Sequence, residues 1–219
     1  MTATTNSPRE YGRVFTGPGG SFSFLWQVVV GFLPKSDQAL RVLDVGCGNG
    51  HWAGELASLG HDVMGVDGSA ARIENATRSV PQARFRCAEI GPTLLADLRE
   101  DPFDVVVSTE VVEHLYDPAA WAEACFHALR PGGRLICSTP YHGYLKNLAI
   151  AVTNGWDHHH HTLRSGGHIK FFSERTLRAL LVKAGFETPT FRGAGRLPYL
   201  WQSMVMAADT PSADRPIGS

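Results

Sequence analysis

"RVLDVGCGNG", residues 41 to 50, runs from a β-branched apolar segment into a loop with glycine at every second position. The first half reads as a buried strand. Gly46, Gly48 and Gly50 let the backbone turn sharply at its carboxyl end and come close to a ligand before a helix begins. A glycine loop in this place also opens dinucleotide-binding units, and an isolated match can be a plain tight turn, so the flanking chain has to decide.

Working outward, the chain alternates short apolar runs with helical stretches, the pattern of a parallel sheet covered by helices. Residues 51 to 60 read as a helix ending on Gly60, and 61 to 67 as the second strand. A helix over 69 to 80 with Ser69 as N-cap, a strand over 83 to 89 and a short helix over 92 to 100 follow. "FDVVVSTE" (103 to 110) is the kind of continuous apolar strand that is buried on both faces. The helix after Asp117 stops at Pro131-Gly132-Gly133, and "RLICSTP" (134 to 140) is the fifth strand. Residues 141 to 170 break the rhythm as an insertion, after which a helix from Ser173 and two strands (187 to 193 and 199 to 209) complete the domain. The expected architecture is α/β: a Rossmann-like, mostly parallel sheet of seven strands with helices on both faces and a lid-like insertion after strand five.

The whole chain of 219 residues fits one such domain. Lysine and arginine number 20 against 21 aspartate and glutamate, so nothing draws the protein as a whole toward nucleic acid or an anionic membrane. The four scattered cysteines form no C-x-x-C pair and read as reduced packing residues of a cytoplasmic protein. No apolar stretch reaches the roughly 18 residues of a membrane span. "FSFLWQVVVGFL" (22 to 33) faintly resembles a signal peptide, but it contains Gln27, lacks a small-residue cleavage site and ends at Pro34; it is expected to be a helix packed on the domain. Residues 1 to 20 and the tail from Asp209 to 219 are rich in Thr, Ser, Pro and Gly and are expected to be mobile, leaving the domain proper over 21 to 208.

Three acidic residues narrow the ligand. Asp67 ends the second strand, where its carboxylate can accept hydrogen bonds from both ribose hydroxyls of an adenosine. Glu89 ends the third, beside the adenine position. Asp44, at the loop, suits a cationic ligand better than a pyrophosphate, which it would repel. The ligand that joins an adenosine to an ammonium and a sulfonium is S-adenosylmethionine.

On "VLDVGCGNG", "GVDGS", "FDVVVSTEVVEHL" and "LRPGGRLICSTP", taken in that order, the sequence resembles the class I S-adenosylmethionine-dependent methyltransferases over about residues 40 to 208. Glu-x-x-Glu-His after strand four and the insertion after strand five make it most similar to the ubiquinone-biosynthesis O-methyltransferases and their small-molecule relatives. The resemblance implies Asp44, Gly46 and Gly48 around the methionine part, Asp67 and Gly68 at the ribose, Ala88 and Glu89 near adenine, and Thr109 beside the sulfonium. The ubiquinone enzymes also carry an arginine before strand one that reaches the cofactor; residues 21 to 35 contain none, so their substrate specificity is not carried over.

The chemistry is expected at "STEVVEHLYDP" (108 to 118), where the chain leaves the carboxyl edge of the sheet. If this segment is helical after Glu110, then Glu110, Glu113 and His114 share one face. His114 can serve as a general base, assisted by Glu113. In some relatives the Glu-x-x-Glu-His cluster holds a divalent metal with a downstream histidine, which here implies Glu110, Glu113, His114 and His168 around Mg²⁺, Mn²⁺ or Zn²⁺. The competing reading leaves His114 as a metal-free pocket residue and Glu110 as a turn cap.

The insertion leaves the same edge and is expected to lie over the substrate. Its histidine run, His158 to His161, reads as a solvated loop, since four adjacent side chains cannot all face one cation. Tyr144, Leu145, Leu148, Ala149 and Val152 form a helical stripe, read either as packed on the domain or, as the resemblance implies, as contacting membrane along residues 141 to 156. Tyr141, Tyr144, Trp156 and Tyr199 are candidates for lining an apolar pocket. The expectation is a methyltransferase acting on a small aromatic or lipophilic acceptor, at oxygen first and otherwise at nitrogen or carbon. From other classes, a nicotinamide-dependent oxidoreductase or a non-catalytic cofactor-binding protein remains open. Nucleic acid is disfavoured by the lack of a basic stripe.

Overall fold

The computed structural model describes residues 20–160 and 167–212. The chain begins with α1 (Phe22–Val30) and then alternates β1 (Arg41–Val45), α2 (His51–Ser58), β2 (Asp62–Asp67), α3 (Ala70–Ser79), β3 (Arg84–Cys87), α4 (Leu94–Leu98) and β4 (Phe103–Thr109). A 3-10 turn (Val112–His114) leads to α5 (Pro118–Ala128), β5 (Leu129–Pro140), α6 (Tyr144–Val152), α7 (Trp156–His160), α8 (Glu174–Lys183), β6 (Thr190–Ala194) and β7 (Ser203–Asp209). The seven strands lie in the order β3-β2-β1-β4-β5-β7-β6, with β7 antiparallel to both neighbours and the other pairings from β3 to β5 parallel. The expected sheet is therefore present.

Its strands read as unbroken apolar runs because both faces are covered. Alternate residues serve two cores: Leu43, Val106, Leu135, Cys137 and Met206 pack toward α5 and α8, while Val42, Val105, Val107, Ile136 and Val205 pack toward α1 and α2. Helix α1 belongs to the second core through buried Leu25 and Val29, as the reading of residues 22 to 33 required. In the first core the fully buried Trp121 donates its indole N–H to Ser108 Oγ at 3.1 Å, and Ser108 passes its own proton to the Val45 carbonyl at 2.9 Å. No helix among the described residues is long and apolar enough to cross a membrane.

Several boundaries differ from the sequence reading. Pro131-Gly132-Gly133 does not end an element; it is a bulge within β5, whose pairing with β4 starts at Leu129 and resumes at Arg134 after a register shift. Gly132 takes a left-handed φ of 72° there. Strand β7 starts at Ser203 rather than Tyr199, which itself has φ 65°. The chain is also held past Asp209, where a loose tail was expected: Arg134 makes two hydrogen bonds to the Asp209 carboxylate, and the buried Thr210 donates to the Arg130 carbonyl. Residues 1–19 and 213–219, which hold the rest of both expected mobile ends, lie outside the described residues.

Truncating Trp121 empties the first core and strands the Ser108 hydroxyl. Trp121→Ala is expected to cost about 3–5 kcal/mol of unfolding free energy, read from the denaturant midpoint at unchanged slope.

Candidate active site

The glycine loop joins β1 to α2 and is clamped to the end of β2. The amides of Gly46 and Cys47 both donate to the Val66 carbonyl, at 2.8 and 2.9 Å. Asp67 finishes the clamp: its two carboxylate oxygens accept from Gly48 N at 3.0 Å and Ser69 N at 2.9 Å. Asp67 thus shapes the loop, a role the sequence reading did not assign to it, and each of its oxygens keeps a lone pair beyond these bonds. Gly46 has φ 80°, and an added Cβ would come within 2.5 Å of Val111, so no other residue fits. Gly48 is left-handed too, but an added Cβ there would meet nothing within 4 Å, so open space borders the loop at this point.

Asp44 is the loop's unusual member. It is 1% exposed, its Oδ2 has no hydrogen-bond partner, and burial, helped by the Asp67 charge, pushes its carboxyl up to about 7. A buried acid with an unpartnered oxygen is costly unless a cation or donor meets it. An ammonium group does both. Gly68 borders open space beside Asp67, Ala88 donates its amide to the Asp67 carbonyl at 3.2 Å, and Glu89 is exposed just beyond β3. The proposed ribose and adenine residues therefore lie along one edge, at the carboxyl ends of β1, β2 and β3.

Thr109 ends β4 on the same edge, and the three residues of the acidic motif diverge after it. Glu110 has φ 54°, so the chain turns before any helix starts; its amide meets Ser138 and its carboxylate accepts from Ser138 Oγ at 2.8 Å. Only Val112–His114 is helical, as a 3-10 turn, and the shared face expected of Glu110, Glu113 and His114 does not form. Glu113 is completely buried. Thr139 Oγ1 donates to its Oε2 at 3.0 Å, its backbone carbonyl accepts from Ile169 N and Lys170 N, and its Oε1 has no hydrogen-bond partner.

That backbone pairing brings His168 back over the turn. The His114 and His168 rings lie 4.9 Å apart, His114 Nε2 is 3.9 Å from Glu113 Oε1, and one donor atom each from Glu113, His114 and His168 lies within 4.8 Å of the others. Of the four expected metal ligands, Glu110 alone stays outside this group. Burial raises both acids, Glu110 to about 7 and Glu113 well above the carboxylate range, the latter also through repulsion by Glu110. Ser138 and Thr139, which hold the two acids, come from the "STP" that ends β5.

The insertion departs from expectation. Tyr144, Leu145, Leu148 and Val152 of α6 are 79, 52, 45 and 77% exposed, so the stripe points away from the domain, while Lys146 is buried and donates to the Tyr141 carbonyl at 2.8 Å. The four aromatic candidates do not converge: Tyr141 and Tyr199 each pack on Trp201, Tyr144 is exposed, and Trp156 lies against His160. The histidine run is not a solvated loop where it is described. It continues α7, and His159 and His160 pack around the buried His142, whose ring stacks on His160 at 5.8 Å. The side chain of His158, and His161, lie outside the described residues.

Asp44 and Glu110 hold their protons in the fold up to about pH 7 but lose them near pH 4 when unfolded. Each therefore stabilises the ligand-free protein fully below about pH 4, and this contribution is lost as pH rises through about 7. Melting temperatures of the ligand-free protein are expected to fall across that window, and less steeply in Asp44→Asn.

Comparison with known proteins agrees with this construction. The model of the methyltransferase domain family matches residues 22–189. A ubiquinone biosynthesis O-methyltransferase of Cereibacter sphaeroides is 36% identical over 178 residues, covering 77% of this chain and 68% of that protein. A probable S-adenosylmethionine-dependent methyltransferase of Mycolicibacterium smegmatis is 33% identical, over 70% of this chain and 56% of its own. Among solved structures, the magnesium protoporphyrin IX methyltransferase of Synechocystis with bound S-adenosylhomocysteine shares the fold, at a TM-score of 0.61 and 22% identity over 84% of this chain and 78% of that one. With the glycine loop, the buried Asp44 and the strand order already in place, these matches show that the chain belongs to the methyltransferase domain family and is an S-adenosylmethionine-dependent methyltransferase.

Proposed function

We propose that the protein transfers the methyl group of S-adenosylmethionine to a hydroxyl oxygen of a small-molecule acceptor, with Glu113, His114 and His168 handling the hydroxyl proton. The observation that carries this reading is the completely buried Glu113 carboxyl, whose unpartnered Oε1 lies 3.9 Å from His114 Nε2. Burying an acid without satisfying it costs stability, which is the signature of a group arranged for chemistry. The likeness to ubiquinone biosynthesis O-methyltransferases supports oxygen as the acceptor atom.

In the displacement, the acceptor oxygen attacks the methyl carbon in line, the carbon–sulfur bond breaks, and its electron pair neutralises the sulfonium as S-adenosylhomocysteine leaves. The acceptor's proton has to be removed. His114 Nδ1 lies 3.3 Å from the Gly167 carbonyl; the tautomer that donates there leaves the lone pair on Nε2, toward Glu113, to accept the hydroxyl proton. The Nε2–H so formed lies beside Glu113 Oε1, whose free lone pairs can accept it. On the cofactor side, Asp44 receives the ammonium and the Asp67 carboxylate the ribose, while the loop glycines let the backbone come close.

The same three side chains fit a divalent cation: their donor atoms are gathered within 4.8 Å, and one is a buried carboxylate oxygen with no hydrogen bond. With Glu110 turned to Ser138, the set is one carboxylate and two imidazoles, which suits Zn²⁺ or Mn²⁺ better than Mg²⁺. When bound, such a cation lowers the pKa of a coordinated hydroxyl. The outward face of α6, with the exposed Trp156, supports contact of residues 141–156 with a membrane surface that presents a lipophilic acceptor.

Two measurements test the reading. Glu113→Gln and His114→Ala are each expected to lower kcat for phenol or catechol methylation by about 10²–10⁴ with little change in S-adenosylhomocysteine affinity. Unchanged rates, or transfer to amines alone, would move the reaction to nitrogen or carbon. Loss of activity on chelation, restored by Mn²⁺ or Zn²⁺, identifies the cluster as a metal centre, whereas indifference to chelation leaves His114 as the base. Separately, S-adenosylhomocysteine binding at pH 7 is expected to release up to about half a proton as Asp44, half protonated there in the free protein, ionises against the ammonium, read by calorimetry in buffers of different ionisation enthalpy.

A further inference from the structure

Helix α6 is turned inside out. Its one buried residue is Lys146, 6% exposed, while its tyrosine, leucines and valine face outward. The hydrophobic effect acting on this helix alone would choose the reverse arrangement, and burying an ammonium carries a large desolvation cost. Part of that cost is met by two carbonyls that accept from Lys146 Nζ, Tyr141 O at 2.8 Å just after β5 and Gln202 O at 3.4 Å just before β7. An ammonium has three donors, so these bonds leave one for another acceptor.

The amine forms part of the wall of a cavity of about 470 Å³ between α6 and the loop before β7. Ala149 and Ile150 from the helix and Leu197 and Leu200 from the loop supply apolar walls, and Arg196 supplies a second cation. Arg196 is exposed and sits on a left-handed backbone, φ 55°. Among the described residues neither cation is bridged to a carboxylate within 4 Å; the carboxylate whose field reaches Lys146 is Glu110, itself bonded to Ser138. Burial and then the Arg196 charge press the Lys146 amine down to about 8, which leaves it largely cationic at neutral pH and repelled by its neighbour. Two like charges at one apolar cavity are relieved together by one anion.

We propose that this cavity holds the methyl acceptor by a single anionic group, a carboxylate or its equivalent on an apolar body, paired with Lys146 and Arg196 beside the acidic edge. The inference rests on the methyl-transfer reading of that edge and names the acceptor's class: an amphiphilic anion that also carries the hydroxyl to be methylated. The volume lies within the usual range of small-molecule sites, enough for an aromatic ring with a short chain. The apolar walls and the exposed face of α6 leave room for a longer tail to run outward.

The full chain would first be titrated with S-adenosylhomocysteine and then, saturated with it, with 4-octylbenzoate, 4-octylbenzamide and benzoate. The charged octyl compound is expected to bind at least about tenfold more tightly than its neutral amide, the span of one well-placed ion pair, and benzoate without its chain to bind more weakly than either. Arg196→Gln and Lys146→Gln should each remove most of the preference for carboxylate over amide while leaving the amide and S-adenosylhomocysteine affinities within about twofold. Arg196 is exposed, so its variant keeps the test readable if the buried Lys146 variant fails to fold. Equal binding of carboxylate and amide, or a preference that survives in Arg196→Gln, would overturn the proposal while the methyl-transfer reading stands. Absent S-adenosylhomocysteine binding would sink that reading instead, and with it the assignment of this pocket to the acceptor.

Discussion

A parallel sheet covered on both faces has no room for polar chemistry except where its strands end. Here β1, β4, β5 and β7 are apolar along most of their length and buried on both sides, so every carboxylate used for function is pushed to the carboxyl edge. That edge is still poorly hydrated. Asp44 at β1, Glu110 and Glu113 after β4, and Lys146 above β5 all enter it with shifted proton affinities because burial penalises their charged forms. The edge is a row of polar groups that the protein itself only partly satisfies, with unpartnered oxygens on Asp44 and Glu113.

This explains a division of labour along the edge. Asp67 has each carboxylate oxygen bonded to a backbone amide, Gly48 N of the glycine loop and Ser69 N, so its position is fixed by the frame. Asp44 and Glu113 each keep an unpartnered oxygen, so they are poised for something that arrives. Groups of the first kind set geometry before binding; groups of the second kind convert binding into a change of protonation. The adjacent hydroxyls of Ser138 and Thr139 hold Glu110 and Glu113 apart, so the two acids of one motif take different surroundings.

The parts of this arrangement that follow from local rules were legible in the sequence. The β-branched runs, the glycine loop and the acids at strand ends depend on short-range pattern, and the mostly parallel seven-stranded sheet followed from the alternation of elements. The acidic motif was legible in composition but not in shape: the i, i+3, i+4 spacing of Glu110, Glu113 and His114 assumes a helix, and the left-handed Glu110 removes it. Pro131-Gly132-Gly133 looked like a stop because its turn chemistry is local, whereas pairing with β4 and β7 carries the strand through it. For the α6 stripe, the sequence left a packed and an outward-facing reading open for the opposite reason. Periodicity says which residues share a face, and only tertiary context says which face turns inward. The histidine run was equally opaque, since its packing depends on His142, more than a dozen residues away.

Strand β7 is the last element of the described chain, yet it lies inside the sheet between β5 and β6 and runs against both. A ribosome therefore releases this inner strand after the six strands it joins. Until residues 203–209 emerge, β5 has a bare edge and the Gln202 carbonyl that helps to hold Lys146 is missing. Strands β1 to β4 and the glycine loop leave the ribosome well before β7, while one of the two carbonyls that hold Lys146 comes only with the final strand. Synthesis thus delivers the β1 to β4 edge of the sheet before the support of Lys146 is complete.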